Sequence, residues 1–148
     1  MIAAAMCFDG VDDEALVDAA HELLACAGSV ESWCGYGDAA ERLLEDVAKR
    51  HHAPPHPPHH ATVDAEQAAA IAERGVALLQ RAGFEAIART FGGHDPGHAL
   101  ATASGPQYVL VLGAGHREGR GPKSVGHVAR FVIDHAQGPV LLVRTAQS

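Results

Sequence analysis

Three cysteines in 148 residues, with no C-x-x-C pair among them, offer neither a disulfide framework nor a thiolate zinc site. Cys26 and Cys34 read as packing residues, and the three thiols suit a reducing, cytoplasmic setting. No apolar run approaches the ~20 residues of a spanning helix. No basic residue stands ahead of the N-terminal apolar run, so neither a membrane span nor a signal peptide is expected. The run from Ala3 to Cys7 meets a lipoprotein cleavage pattern poorly, because Met6 is not small and four acidic residues follow at once. Positive charge is scarce as well. The net charge of -7 excludes a general nucleic-acid binder, since phosphate backbones are held by clustered Lys and Arg. Hydrolytic signatures are missing too. His21-Glu22 opens like a zinc-protease helix without its second histidine, no Gly-x-Ser-x-Gly turn occurs, and no catalytic constellation is evident.

What is present is a chain of the right length for one core, 47% hydrophobic, and a single domain spanning residues 1–148 is expected. Ile2 to Phe8 reads as a buried strand closed by Asp9-Gly10, and Asp12 opens a helix with Leu16, Ala20, Leu23 and Ala27 on its inner face, stopped near Gly28. Val30 to Tyr36 reads as a strand, limited by two glycines. Asp38 and Glu41 look like a capping box for a helix to about Lys49. Residues 51–61 are rich in proline and histidine and are expected to form a flexible, exposed loop. A long helix follows from Thr62 to Ala82, patterned on Ala65, Ala69, Ile71, Val76 and Leu79, and then a strand from Phe84 to Phe91. A short helix begins at Asp95-Pro96, with proline where its missing N–H costs nothing. Tyr108 to Leu112 suits a strand covered on both faces, Ser124 to His135 a helix turning Val128, Phe131 and Val132 inward, and Pro139 to Val143 the last strand. Strands alternating with helices at this spacing give an α/β three-layer sandwich with a parallel sheet, five strands and four principal helices.

Charge is unevenly spread. Eleven of the eighteen acidic residues lie between Asp9 and Asp46, whereas Arg117, Arg120 and Lys123 place three of the eleven basic residues in seven positions. That basic cluster sits in a glycine-rich loop between the fourth strand and its helix, where backbone N–H groups and a helix N-terminus can cradle an anion. Gly113, Gly115, Gly119 and Gly121 would let a phosphate approach without Cβ clashes; the same glycines would also suit a plain surface loop. The loop is neither a Walker loop, since Pro122 precedes Lys123, nor a dinucleotide fingerprint. The histidines of the proline-rich loop, His51, His52, His56, His59 and His60, are candidate transition-metal ligands or a solvated linker.

Aligned from its end, with Gly138 to Arg144 as a closing strand and His135-Ala136 before it, the chain resembles the universal stress protein family. ATP-binding members carry, after the fourth strand, a glycine, two residues, a second glycine, nine residues, and a third glycine followed by serine or threonine. Gly113 and Gly126 fall on the first and third glycines, His116 replaces the second, and His127 the hydroxyl residue. Phe8-Asp9-Gly10 looks like the end of the family's first strand, with Val11 in place of the customary serine. The resemblance implies a five-stranded parallel sheet of order 3-2-1-4-5, the adenine nucleotide alpha hydrolase-like arrangement. It also implies a non-catalytic stress-response protein binding ATP or AMP where strands one and four diverge. Asp9, Gly10, Gly113, Gly115, His116, Arg117, Gly126 and His127 are the candidate binding residues. Asp9 read alone serves equally as a turn or capping aspartate. Because an unperturbed imidazole is mostly neutral at pH 7, the two histidine replacements imply binding that strengthens below about pH 6.5. The family further implies a homodimer through Pro139 to Arg144. A ligand-free dimeric module and a metal-binding protein are the alternatives.

Overall fold

The structure is a computed structural model and describes residues 2–37, 63–114 and 126–145. The expected helix at Asp38 to Lys49 and the proline-histidine loop lie outside the described residues.

Strand β1, Ala3–Cys7, is a run of small residues with weak strand propensity, and it forms because it is sandwiched from every side. It pairs in parallel with β2 (Ser29–Gly37) and with β4 (Tyr108–Gly113), and Ala5 and Met6 are wholly buried. Beyond these lie β3 (Ala86–Gly93) on β2 and β5 (Val140–Val143) on β4, giving the all-parallel order β3-β2-β1-β4-β5 that the sequence implied.

Four helices are described: α1 (Asp13–Cys26), α2 (Ala65–Arg81), α3 (Pro96–Ala103) and α4 (His127–His135). On one face α1 and α2 cover a core of Met6, Phe8, Leu16, Leu24, Ile71 and Leu79; on the other α3 and α4 cover Ala5, Trp33, Leu100, Leu110 and Val132. Because side chains alternate across a strand, Met6 and Ala5 of one strand feed opposite cores.

Three helix faces differ from expectation, each by about one position. In α1 the buried row is Leu16, Ala20 and Leu24, residues four apart; Leu23, one step around the helix, is 39% exposed. In α2 the inner row is Ala68, Ile71, Ala72, Gly75 and Leu79, and Ala65 and Ala69 face outward. In α4 Ala129 and Val132 are buried, Phe131 is half-buried and Val128 is exposed. In α2 and α4 small inward residues such as Ala68, Ala72, Gly75 and Ala129 hide the true stripe, and in α1 the adjacent Leu23 and Leu24 cannot be told apart by pattern.

Strand β2 is the longest strand, with Trp33 fully buried. Its Gly35 is needed for packing: a Cβ there would stand 2.6 Å from the carbonyl oxygen of Pro96, where the start of α3 crosses the strand.

Candidate functional site

At the carboxyl end of β1 the chain must turn into α1 on one face of the sheet, while β4 leaves towards α4 on the other. The strands are adjacent, with Cys7 opposite Leu112, so the divergence opens a crevice between them.

The β1 side of the crevice is a tight turn. Gly10 has φ of +86°, a conformation other residues adopt only under strain. Asp9 Oδ1 accepts the Val11 N–H at 2.9 Å, closing an aspartate turn. The Asp13 carboxyl then holds the turn from inside: Oδ1 accepts the Asp9 N–H at 3.2 Å and Oδ2 the Gly10 N–H at 2.9 Å. Asp12, placed at the N-cap of α1, makes no capping bond with its side chain.

Asp13 is buried at 9% exposure, and it is the one charged side chain so placed among the described residues. Its pKa is raised to about 6, chiefly by desolvation and also by the Asp9 carboxyl, against the pull of the backbone N–H donors. Nearby, burial pushes the Cys34 thiol up to about 12 and Cys7 higher still, which leaves both as neutral packing groups rather than nucleophiles.

On the β4 side Gly113 ends the strand and Ala114 continues the ladder by donating to the Val143 carbonyl at 2.8 Å. Gly113 and Ala114 meet Cys7, Asp9, Asp13 and Thr145 around a hollow of about 40 Å³. Asp12 and Leu16 complete its lining, so among the described residues the hollow carries three carboxylates and no basic group. Of the expected binding residues, Asp9 and Gly113 therefore share one hollow, and Gly10 sits in the turn beside it. Gly126 stands at the N-cap of α4 with φ of +85°, which gives a physical reason for glycine there, and His127 is the exposed first residue of that helix. Gly115, His116 and Arg117 lie outside the described residues, as do the five histidines of the proline-rich loop. Among the described residues no group of three His, Cys, Asp or Glu could hold a metal ion.

Sequence reading missed Asp13. The signal was available in part, because Asp9 and Asp13 stand four apart across a turn. Acidic residues in a first helical turn are common, however, and its burial depends on strands a hundred positions away.

No protein-family model matches the chain, and no curated protein does. Solved structures do match it over nearly its whole length. The universal stress protein from Archaeoglobus fulgidus aligns with 97% of this chain and 93% of its own at 17% identity and a TM-score of 0.56. The structure of that protein in complex with dAMP covers 97% and 98%, also at 17% identity and 0.56. The hypothetical protein MJ0577, described in a structure-based assignment of biochemical function, covers 99% and 98% at 16% identity and 0.59. The fold of this chain, from strand order to chain length, is thus that of the universal stress protein structures.

Proposed function

We propose that the chain is a non-catalytic, stress-associated protein that takes an adenine nucleotide, ATP or AMP, at the crevice between β1 and β4. The observation that carries this reading is that Asp9 and Gly113, 104 positions apart by their numbering, line one hollow at the point where the strand order reverses. A neighbour of the same fold is a complex with dAMP, which supports the ligand class. The hollow, about 40 Å³, is far below the roughly 300–1,000 Å³ of a whole-ligand pocket. It seats one uncharged part of the ligand beside Asp9, and the rest extends over the strand ends. Three carboxylates around it repel phosphate, so the counter-charge comes from Arg117, Arg120 and Lys123, with Gly115 and His116 between strand and cluster and Gly126 and His127 at the start of α4.

A thermal-shift series with ATP, ADP, AMP and zinc tests the reading. A nucleotide at a hundredfold over its dissociation constant adds about 2.7 kcal/mol of stability. Stabilisation by a nucleotide that is abolished in Asp9→Ala is expected; no response to any nucleotide rejects it, and a response to zinc alone favours the histidine loop.

A second copy is the partner we infer, pairing along β5. Among the described residues that strand is the sheet's edge on the β4 side and exposes 36% of Leu141, and sheet edges invite partners. Val140 and Leu142 pack against the core, so a charge at either would injure the fold; Leu141 is the position to change. Leu141→Lys should shift a dimer to monomer in light scattering, and an unaltered mass would reject pairing through β5.

A further inference from the structure

The hollow between β1 and β4 is closed from a third side by the end of β5. Val143 of that strand packs on the core beneath α1, and two positions on Thr145 lines the hollow with Leu16 and Asp13 of that helix. Nothing local in the sequence marks Thr145; the parallel pairing of β5 with β4 carries it to the crevice.

Among the described residues Thr145 brings the only hydroxyl to the hollow, and that hydroxyl has no hydrogen-bond partner. A hydroxyl donates one bond and accepts others. The groups around it are already engaged. The Cys7 thiol donates to the Ala5 carbonyl, Asp13 uses both oxygens on the N–H groups of Asp9 and Gly10, and Asp9 uses Oδ1 on that of Val11. Asp9 Oδ2 is left to accept on the β1 side, and Thr145 to donate from the end of β5. An acceptor and a donor on one small hollow suit two neighbouring hydroxyls, one giving its proton to the carboxylate and the other taking one from the threonine. At about 40 Å³ the hollow takes a few groups of water's size, so sugar hydroxyls enter it and a purine ring does not.

We propose that Thr145 is a specificity-determining residue that reads the intact diol of a ribose and so selects a ribonucleotide over its deoxy forms. The proposal deepens the nucleotide reading above and rests on it. A site that offers a hydrogen bond to a ligand hydroxyl discriminates against the analogue lacking it, because its own polar group then stays unpaired.

The test is calorimetric titration of the full chain with AMP, its 2′-deoxy form and its 3′-deoxy form, for the natural protein, Thr145→Val and Thr145→Ser. Valine keeps the shape and removes the hydroxyl; serine keeps the hydroxyl. The natural protein should bind AMP about three- to tenfold more tightly than either deoxy form, the effect of one hydrogen bond. In Thr145→Val, AMP should weaken to the level of one deoxy form whose own affinity is unchanged, and the hydroxyl missing from that form is the one Thr145 holds. Thr145→Ser should restore the preference. Three ligands bound alike by the natural protein, or both preferences surviving in Thr145→Val, overturn the proposal and leave the nucleotide reading intact. A loss shared equally by all three ligands in Thr145→Val marks a structural role and overturns it as well. If the natural protein binds none of them, the nucleotide reading falls and the proposal with it.

Discussion

Gly75 and Asp13 show how far single residues decide this structure. Gly75 lies in α2 where the helix passes over β2 and Phe8, and a Cβ there would collide with the Phe8 ring and with Ser32 Oγ. Ser32 is fully buried and donates to the Ala72 carbonyl at 2.7 Å, so it cannot swing away without orphaning a buried hydroxyl. Overpacking therefore outweighs the gain in helix propensity, and Gly75→Ala should lower stability by about 2 kcal/mol, read as a lower urea midpoint at unchanged slope. Asp13 makes a prediction about pH. Its carboxyl pKa is raised in the folded state, from 3.8 to about 6, so the native protein holds more protons than the unfolded chain between those values. Its contribution to stability is complete below about pH 4 and lost as pH rises through about 6. Relative to Asp13→Asn, the natural protein should lose about 1–2 kcal/mol across that window, once residual solvent screening at the mouth of the hollow is allowed for. Parallel midpoint-against-pH curves for the two proteins would contradict this. Asp9, Gly113 and Gly126 came to notice through the resemblance of the chain's two ends to family motifs. Asp13 did not, because burial of a first-turn aspartate is a tertiary fact.

Elements were legible where their signals were local. Helix α2 ends where Gly83, with φ of +98°, stops it, but it begins at Ala65 rather than Thr62, because the Asp64–Gln67 capping box, with both reciprocal bonds present, sets its start. Strand β2 looked weak from its glycines, yet Gly35 is there because a helix crosses it, which no local pattern can disclose. Helix α3 has eight residues, too few to hold without packing and a cap. Asp95 Oδ1 supplies the cap, accepting the His98 N–H at 2.8 Å. Asp95→Ala should cost about 1 kcal/mol and speed amide exchange at Leu100 and Ala101 before the rest of the sheet is affected. At the other crossover, a Cβ on Gly126 would meet nothing within 4 Å among the described residues, so Gly126→Ala should cost the strain of a backbone conformation (φ +85°, ψ 160°) that is essentially glycine's own, about 1–3 kcal/mol.

At the scale of the whole molecule, parallel strands in the order β3-β2-β1-β4-β5 bring two distant segments to one crevice, and that placement is what the functional account depends on. The order was readable because strand and helix alternate throughout and the two ends of the chain carry family-like motifs. The charge of the crevice was not, because three carboxylates of one short stretch, Asp9, Asp12 and Asp13, could equally have faced solvent, and only the fold turns them to the same hollow. Backbone amide shifts in a nucleus-by-nucleus titration with AMP test the account most directly. The account predicts that Asp9, Gly10, Gly113 and Ala114 respond together and saturate along one binding curve. Shifts confined to any other part of the sheet, or none at these four amides at millimolar AMP, would contradict it.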